Sequence, residues 1–172
     1  MTHETGWAEP AKIVSAPRIQ MVDGFTYLYF EDKNRLDREV GESVGALIPK
    51  VEETYRQMFA GAKTPPLLFF FNDVGQAADG AYIYDVQIGV PVSPNTQPAC
   101  GALVRDVPPT LMAAMLVWGE LNGVYRTYGP LCEFIEASGY ECSVGWREYY
   151  LYMENDRSGN NITWVQHEVK PR

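Results

Sequence analysis

Apolar positions predict a strand and then a long helix in the first half of the chain. Residues 25–32 read FTYLYFED, where aromatic side chains recur at every second position, as they do in a half-buried strand. Over residues 36–59 apolar side chains recur at spacings of three and four, which places them on one face of a helix. Pro49 interrupts this stripe and predicts a kink or a break, and Gly61 is expected to end the helix.

The same order of elements recurs in the second half. The later elements are predicted as strands at 67–71, 81–92 and 109–118, a helix at about 121–137, and strands at 147–154 and 161–169. A polar connector at 93–99 separates the halves, and a turn is expected at 155–160. Pro130 lies inside the second helix, and Gly139 stands where its C-cap would be.

An internal repeat at an offset of about 80 residues indicates the fold class. The matched pairs are Pro49 with Pro130, the Val-Gln pair at 86–87 with that at 165–166, and 67–71 with 147–151. We predict an α+β fold of tandem duplicated β-α-β-β repeats related by a pseudo-two-fold axis; chance similarity of two aromatic strands is the alternative. The antiparallel strands would carry helices on one side and a ligand cleft on the other.

The repeats would span about 18–93 and 100–172 of a single domain at 18–172. Residues 1–17 show no sustained period and are expected to form a loose leader. That leader has no apolar stretch of the kind found in signal peptides.

The charge and the aromatic content narrow the range of partners. A formal net charge of −8 opposes binding to phosphate backbones and anionic membranes, so we expect no direct contact with nucleic acid or membrane. This charge suits a cationic ligand, or it only keeps the protein soluble. Aromatic residues make up 13% of the chain, and the polar tips of Tyr and Trp need partners, so some are expected to line a binding site.

Cysteine and histidine usage argues against a disulfide framework, a metal site and a cofactor. Cys100, Cys132 and Cys142 are an odd number without CxxC spacing, which favours a reduced, cytoplasmic setting. Cys132 falls in a predicted helix with no histidine placed to activate it. His167 is expected to be a partly buried histidine, and two separated histidines do not make a metal site. No phosphate-binding or dinucleotide fingerprint is present.

Three segments resemble the GyrI-like family, also found as the effector-binding domain of AraC- and MerR-type regulators. DVQIGVPV at 85–92 is similar to the close of the family's first repeat, and CEFIEASGYE at 132–141 to the end of its second helix. WREYYLY at 146–152, followed by ITWVQHEV at 162–169, resembles its last two strands. The sequence VWGEL at 117–121 departs from the family pattern: it keeps the glycine before the second helix but has Trp118 where small polar residues are usual. The shape of the ligand is therefore expected to differ from that of better-known members.

The resemblance implies a stand-alone small-molecule binding domain, since no helix-turn-helix pattern is found. Its ligand would be a hydrophobic, cationic aromatic compound, and its role that of a sensor or a sequestering protein. A homodimer or a regulatory protein partner stays open. The resemblance also leaves open a hydrolase of cyclopropane-bearing alkylating compounds and an inhibitory protein partner of a DNA-handling enzyme.

Glu148 is the sharpest candidate for the binding site, and the family's acidic pocket residue falls on it by motif match. The repeat offset matches it with the apolar Leu68, and a buried charge needs a partner. A cationic ligand between aromatic walls would supply that partner, and in a hydrolase Glu148 would be the general base. The alternative is an ion pair with Arg147 or Arg105.

Strand alternation extends the candidate site to further aromatic residues. Tyr150 and Tyr152 would share the face of Glu148. The opposite face is expected to meet the helices through Tyr149, Leu151 and Met153. Four more residues are predicted around a cleft between the repeats, with core packing as the alternative for each one: Tyr27, Tyr29, Trp118 and Trp164.

Overall fold

The structure, a computed structural model, describes residues 12–172, so residues 1–11 of the expected leader lie outside the described part. The strands are β1 (Lys12–Ile13), β2 (Arg18–Val22), β3 (Phe25–Leu36), β4 (Leu68–Gln76), β5 (Tyr82–Val92), β6 (Leu103–Val107), β7 (Thr110–Trp118), β8 (Tyr140–Tyr152) and β9 (Ile162–Pro171). The helices are α1 (Val40–Met58), α2 (Leu121–Val124) and α3 (Tyr128–Ala137), with 3-10 turns at Asp37–Glu39 and Tyr125–Thr127. Within this part of the chain no helix is long and apolar enough to cross a membrane.

The described strands form one antiparallel sheet whose order is symmetrical about its centre. β4 and β8 pair in the middle; β5 and then β3 follow on one side, and β9 and then β7 on the other. A β-α-β-β duplication would give this order, with β3, α1, β4 and β5 corresponding to β7, α3, β8 and β9. The duplication itself stays a prediction.

Two short strands, β2 and β6, were not anticipated from the sequence pattern, and they tie the halves together. β2 precedes β3 in the chain but pairs with β7, whereas β6 precedes β7 and pairs with β3. The β2–β3 and β6–β7 connections pass close to each other, because a Cβ at Gly24 would lie 2.8 Å from the Val107 carbonyl oxygen. β2 lies at one end of the strand order and β3 next to the other end, so their short connection requires the sheet to curve until its two ends come close together.

The curvature of the sheet creates buried cores on both of its faces. α1 packs Leu47 and Val51 against the first half of the sheet, and α3 packs Leu131 and Ile135 against the second half on the same face. The opposite face encloses a third cluster composed of Tyr27, Tyr29, Leu68, Phe70 and Val107. The fold is therefore α+β, mainly antiparallel, with helices on one side as predicted.

Several predicted details of the helices change in the structure. Of the kink or break expected at Pro49, the break is wrong, because α1 continues through this residue. Pro49 lacks an N–H for the Gly45 carbonyl, and both residues lie on the exposed face of the helix. Pro130 lies in the first turn of α3, where a helix needs no N–H from that residue. The two prolines are thus not equivalent. Gly139, at φ 80°, follows α3 at the predicted C-cap, and this prediction is confirmed.

The expected leader joins the sheet at its second half. β1 pairs with the end of β7, and the Val14 N–H donates to the Leu116 carbonyl. The Leu116 N–H donates in turn to the Ser15 hydroxyl oxygen, at 2.8 Å. Residues 12–15 are therefore part of the folded unit. That residues 1–11 form a loose leader outside the domain stays a prediction.

Candidate functional site

Glu148 lies at the centre of the sheet, on the face that carries the helices. It stands on β8 directly opposite Phe69 of β4, which belongs to the core beneath α1. Its side chain is only 8% exposed. Both carboxylate oxygens accept hydrogen bonds from tyrosine hydroxyls: Tyr128 of α3 donates to Oε1 at 2.6 Å, and Tyr150 of β8 donates to Oε2.

No basic side chain of the described residues balances the charge of Glu148. Within residues 12–172, no lysine, arginine or histidine forms an ion pair with it. Arg147 and Arg105 lie on the other face of the sheet, where their guanidinium groups stand 4.8 and 4.7 Å from the ring centre of Phe70. The alternative of an ion pair with either arginine is therefore wrong, since adjacent strand residues point to opposite faces.

Burial sets the protonation behaviour of the Glu148 cluster. Loss of water around the carboxylate raises the pKa of Glu148, and the hydrogen bonds from Tyr128 and Tyr150 oppose this shift. Burial, followed by the nearby carboxylate, raises the pKa of both tyrosine hydroxyls well above their usual value. The hydroxyls therefore stay protonated and act as donors, so the cluster keeps the full negative charge of Glu148 once it ionises.

A cavity of about 590 Å³ opens beside Glu148, between α3, the start of α1 and strands β4, β5, β8 and β9. Most of its lining is aromatic: it comprises Val40, Phe71, Tyr82, Tyr84, Tyr125, Tyr128, Cys132, Trp146, Glu148 and His167. Among the described residues, Glu148 is the only acidic one in this lining. The cavity thus combines aromatic walls with one buried, unbalanced carboxylate.

Trp146 organises the aromatic wall. Its ring stacks on Phe71 at a centroid distance of 5.5 Å and meets Tyr84 edge-on at 5.0 Å. It also contacts Tyr128 at 5.7 Å and His167 at 6.2 Å. Aromatic pairs at these distances stabilise one another, so the wall is held in place before any ligand arrives.

Comparison with known proteins identifies the family. The profile of the GyrI-like small molecule binding domain matches residues 15–169, nearly the whole chain. The chain belongs to the GyrI-like family. No curated protein sequence matches it.

Solved structures share the GyrI-like fold at low sequence identity. EcmrR in a DNA complex has a TM-score of 0.68 at 13% identity, covering 91% of this chain and 58% of EcmrR. The EcmrR C-terminal domain alone has a TM-score of 0.70 at 12% identity, over 93% of this chain and 100% of that domain. This chain thus spans little more than half of the complete EcmrR chain.

Two further solved structures carry descriptions of a ligand or an activity. SAV2435 bound to tetraphenylphosphonium has a TM-score of 0.61 at 12% identity, covering 91% of this chain and 94% of that one. A hydrolase from Listeria innocua has a TM-score of 0.56 at 12% identity, covering 90% and 91%. Identities this low establish the fold that these GyrI-like proteins share.

Only part of the predicted site comes together in this GyrI-like domain. Tyr150 does join Glu148, because its hydroxyl donates a hydrogen bond to the carboxylate, although its ring packs in the core beneath α1. Tyr152 is 49% exposed, and its hydroxyl donates a hydrogen bond of 3.0 Å to Oε1 of Glu154 instead of Glu148. Trp118, at the end of β7, is 45% exposed and lies outside the cavity lining.

The remaining predicted aromatics lie on the opposite face of the sheet. Tyr27 and Tyr29 stack on each other at 5.1 Å inside the third cluster, and Trp164 lines a separate cavity of about 470 Å³ with Tyr149. The predicted assignment of faces on β8 is therefore wrong, because Glu148 and Tyr150 meet the helices and Tyr149 does not. The Glu148 cavity accordingly lies on the helix side, and Phe69 rather than Leu68 shares its face.

Of the ten lining residues named above, the sequence interpretation includes Glu148 and misses the other nine, although a signal was available for Trp146 and His167. Trp146 stands two residues before Glu148 on the same strand, and His167 two residues after Val165 on β9, so alternation places both on one face. Tyr84 and Tyr128 join the site only through the packing of β5 and α3. Within the described residues, no group of three or more His, Cys, Asp or Glu side chains could hold a metal ion.

His167 contributes an uncharged edge to the cavity. Its Nδ1 lies 3.0 Å from the Glu168 carbonyl oxygen, a contact that assigns the ring proton to Nδ1 and leaves Nε2 as an acceptor. Burial lowers the pKa of His167, outweighing the opposing effect of the Glu168 carbonyl. The ring is therefore neutral at neutral pH and does not offset the charge of Glu148.

Proposed function

We propose that this GyrI-like domain binds hydrophobic, cationic aromatic small molecules in the cavity beside Glu148, as a sensor or a sequestering protein. The proposal rests on the buried carboxylate of Glu148, which two tyrosines hold by hydrogen bonds while no basic side chain among residues 12–172 neutralises it. A buried charge without a counter-charge is costly, and a bound cation would remove that cost.

The cavity suits a delocalised organic cation better than a small ammonium. Such a cation sheds its water at little cost, and the faces of Trp146 and Tyr84 offer cation–π attraction. A volume of about 590 Å³ is in the range of small-molecule sites. The tetraphenylphosphonium bound to SAV2435, a protein of the same fold, belongs to this chemical class.

The test is calorimetric titration with tetraphenylphosphonium and with neutral triphenylphosphine oxide. We expect the cation to bind more tightly than the neutral compound. A matched pair of filling variants locates the site: Val40→Trp blocks the Glu148 cavity, whereas Met21→Trp fills the cavity on the other face. Loss of cation binding in Val40→Trp alone supports the proposal, and loss in Met21→Trp alone, or equal binding of the two compounds, contradicts it.

A second candidate function follows from the raised pKa of Glu148. A buried carboxylate whose pKa lies above its usual range is a better general base, and the hydrolase from Listeria innocua shares this fold. In this proposal Glu148 activates a water molecule that opens a cyclopropane-bearing alkylating compound held against the aromatic wall. Mass analysis of the compound after incubation with the protein tests it, since hydrolysis adds the mass of one water.

The acidic net charge limits the macromolecules that the domain would contact. A charge of −8 opposes direct contact with nucleic acid, so a sensing role would require a separate DNA-binding segment or protein. We propose a cytoplasmic setting for this role.

A further inference from the structure

Two thiols meet at the edge of the Glu148 cavity, and the proposed function makes no use of them. Cys132 lies on α3 and lines the cavity, whereas Cys142 is an exposed residue of β8. Their sulfur atoms are 3.8 Å apart, with the thiol of Cys142 directed at the sulfur of Cys132. A disulfide has an S–S distance of about 2.05 Å, so a small rotation of the two side chains would bring the sulfurs to bonding distance.

We propose that Cys132 and Cys142 form a redox-active pair that closes to an intramolecular disulfide and thereby lowers the affinity of the cavity for its ligand. The thiol chemistry stands on the geometry of the two cysteines alone. The effect on affinity rests on the proposed function.

A peroxide supplies the oxidant. The thiolate of Cys132 attacks one oxygen of hydrogen peroxide, the O–O bond breaks, and the departing hydroxide takes up a proton to leave as water, which gives a sulfenic acid. The sulfur of Cys142 then attacks the Cys132 sulfur; the S–O bond breaks, and the hydroxyl leaves with the Cys142 proton as a second water. The thiols lose two electrons and two protons in total, and the peroxide is reduced to two waters.

The order of attack follows from the surroundings of the two sulfurs. Although Cys142 as a whole is exposed, the loss of water around its sulfur, together with the neighbouring Cys132, raises the pKa of Cys142 to about 12. Cys142 therefore keeps its proton at neutral pH, with its sulfur 3.8 Å from the sulfur of Cys132. Cys132 is therefore the sulfur that reacts with peroxide first. Cys142 must pass its proton to the departing hydroxyl as its own sulfur attacks, because a thiol becomes a competent nucleophile only as it loses its proton.

The disulfide would act on the cavity through α3. Tyr128, which donates to Glu148, precedes Cys132 by one helical turn and lies on the same side of the helix. Drawing Cys132 towards β8 moves the wall that Tyr128 and Tyr125 form. A covalent link between α3 and β8 also prevents this wall from moving outward to admit a bulky aromatic ligand.

The third cysteine supplies a clean background for the test. Cys100 lies on an exposed turn and contacts Gln57 at 3.5 Å rather than another thiol. Cys100→Ser therefore removes an exposed thiol that could link two molecules and leaves the proposed pair intact. In that background, Cys132→Ser and Cys142→Ser each remove one partner.

The experiment maps thiols and cross-links after treatment with hydrogen peroxide. We expect the Cys100→Ser protein to lose both free thiols and the mass of two hydrogen atoms, and to yield a linked peptide pair containing Cys132 and Cys142. Neither single-serine variant should yield that link. Both thiols still free after oxidation, or oxidised to sulfinic acids without a link, would overturn the proposal.

Titration of the two redox states with tetraphenylphosphonium tests the effect on the cavity. We expect the oxidised protein to bind about fivefold more weakly, as for the loss of one hydrogen-bonded contact, and the reduced affinity to be restored by a reductant. Equal affinity of the two states would overturn the effect on ligand binding. If neither state binds the cation, the proposed function and its redox control both fail, whereas the linked peptides still decide whether the pair exists.

Discussion

Replacing Glu148 by glutamine removes one negative charge from the cavity and leaves its shape nearly unchanged. At an effective dielectric constant near 20, two unit charges about 6 Å apart attract by about 3 kcal/mol. Contacts to charged groups contribute about 1.5–3 kcal/mol in practice. Glu148→Gln should therefore weaken binding of tetraphenylphosphonium by about tenfold to a hundredfold. Neutral triphenylphosphine oxide should bind about equally to both proteins, because it carries no net charge.

Calorimetric titration of both compounds into wild type, Glu148→Gln and Glu133→Gln measures this effect. Glu133 is an exposed acid on α3 outside the cavity lining, so its neutralisation controls for the general charge of the protein. Burial raises the pKa of Glu148, so its carboxylate becomes protonated earlier as pH is lowered. The cation affinity of the wild type should therefore begin to fall while the pH is still above the usual carboxyl range. Glu148→Gln should show no such fall.

The reasoning is refuted if Glu148→Gln weakens both compounds alike, because the residue would then act through the shape of the cavity. It is also refuted if Glu133→Gln weakens the cation as much as Glu148→Gln does. In that case the attraction would come from the overall charge of −8 rather than from the buried carboxylate.

Three further outcomes are expected. Tyr150→Phe should destabilise the protein by about 1–3 kcal/mol in chemical denaturation, because Glu148 Oε2 loses its buried donor, whereas the exposed Tyr152→Phe should change little; equal effects would contradict this. The pKa of His167 is lowered in the folded state, so its contribution to stability is present above about pH 6.5 and is lost as pH falls through the folded pKa. His167→Gln should flatten that part of the profile of unfolding free energy against pH, and an unchanged profile would contradict it. If the protein hydrolyses an alkylating compound, Glu148→Gln should abolish turnover and spare binding of a neutral substrate, and undiminished turnover would remove Glu148 from the chemistry.

The sequence predicts the fold well where local pattern and long-range packing agree. The long helix, the C-cap at Gly139 and the central strands all follow from periodicity and capping. β2 and β6 escape it because each is five residues long and gains its stability from pairing with the opposite half of the chain. α1 tolerates Pro49 because Pro49 and Gly45 both lie on its exposed face, where a carbonyl without a helical partner is accessible to solvent.

The sequence identifies Glu148 as a site residue, but it does not tell which face of the sheet carries this residue and its cavity. Alternation assigns residues to two faces without saying which face meets the helices. Here the ends of the curved sheet meet, so both faces are buried, and Tyr149 finds apolar neighbours as readily as Tyr150 does. The partnership of Glu148 with Tyr128 depends on how α3 packs on β8, a contact between different elements that no local pattern encodes.

A crystal structure with bound tetraphenylarsonium tests the central claim most directly, because the anomalous signal of arsenic locates the cation without ambiguity. We expect an arsenic peak in the cavity lined by Trp146 and Glu148, with the phenyl rings against the aromatic wall. A peak in the cavity on the opposite face, beside Tyr149 and Trp164, would contradict the account, as would cations bound only at the outer surface.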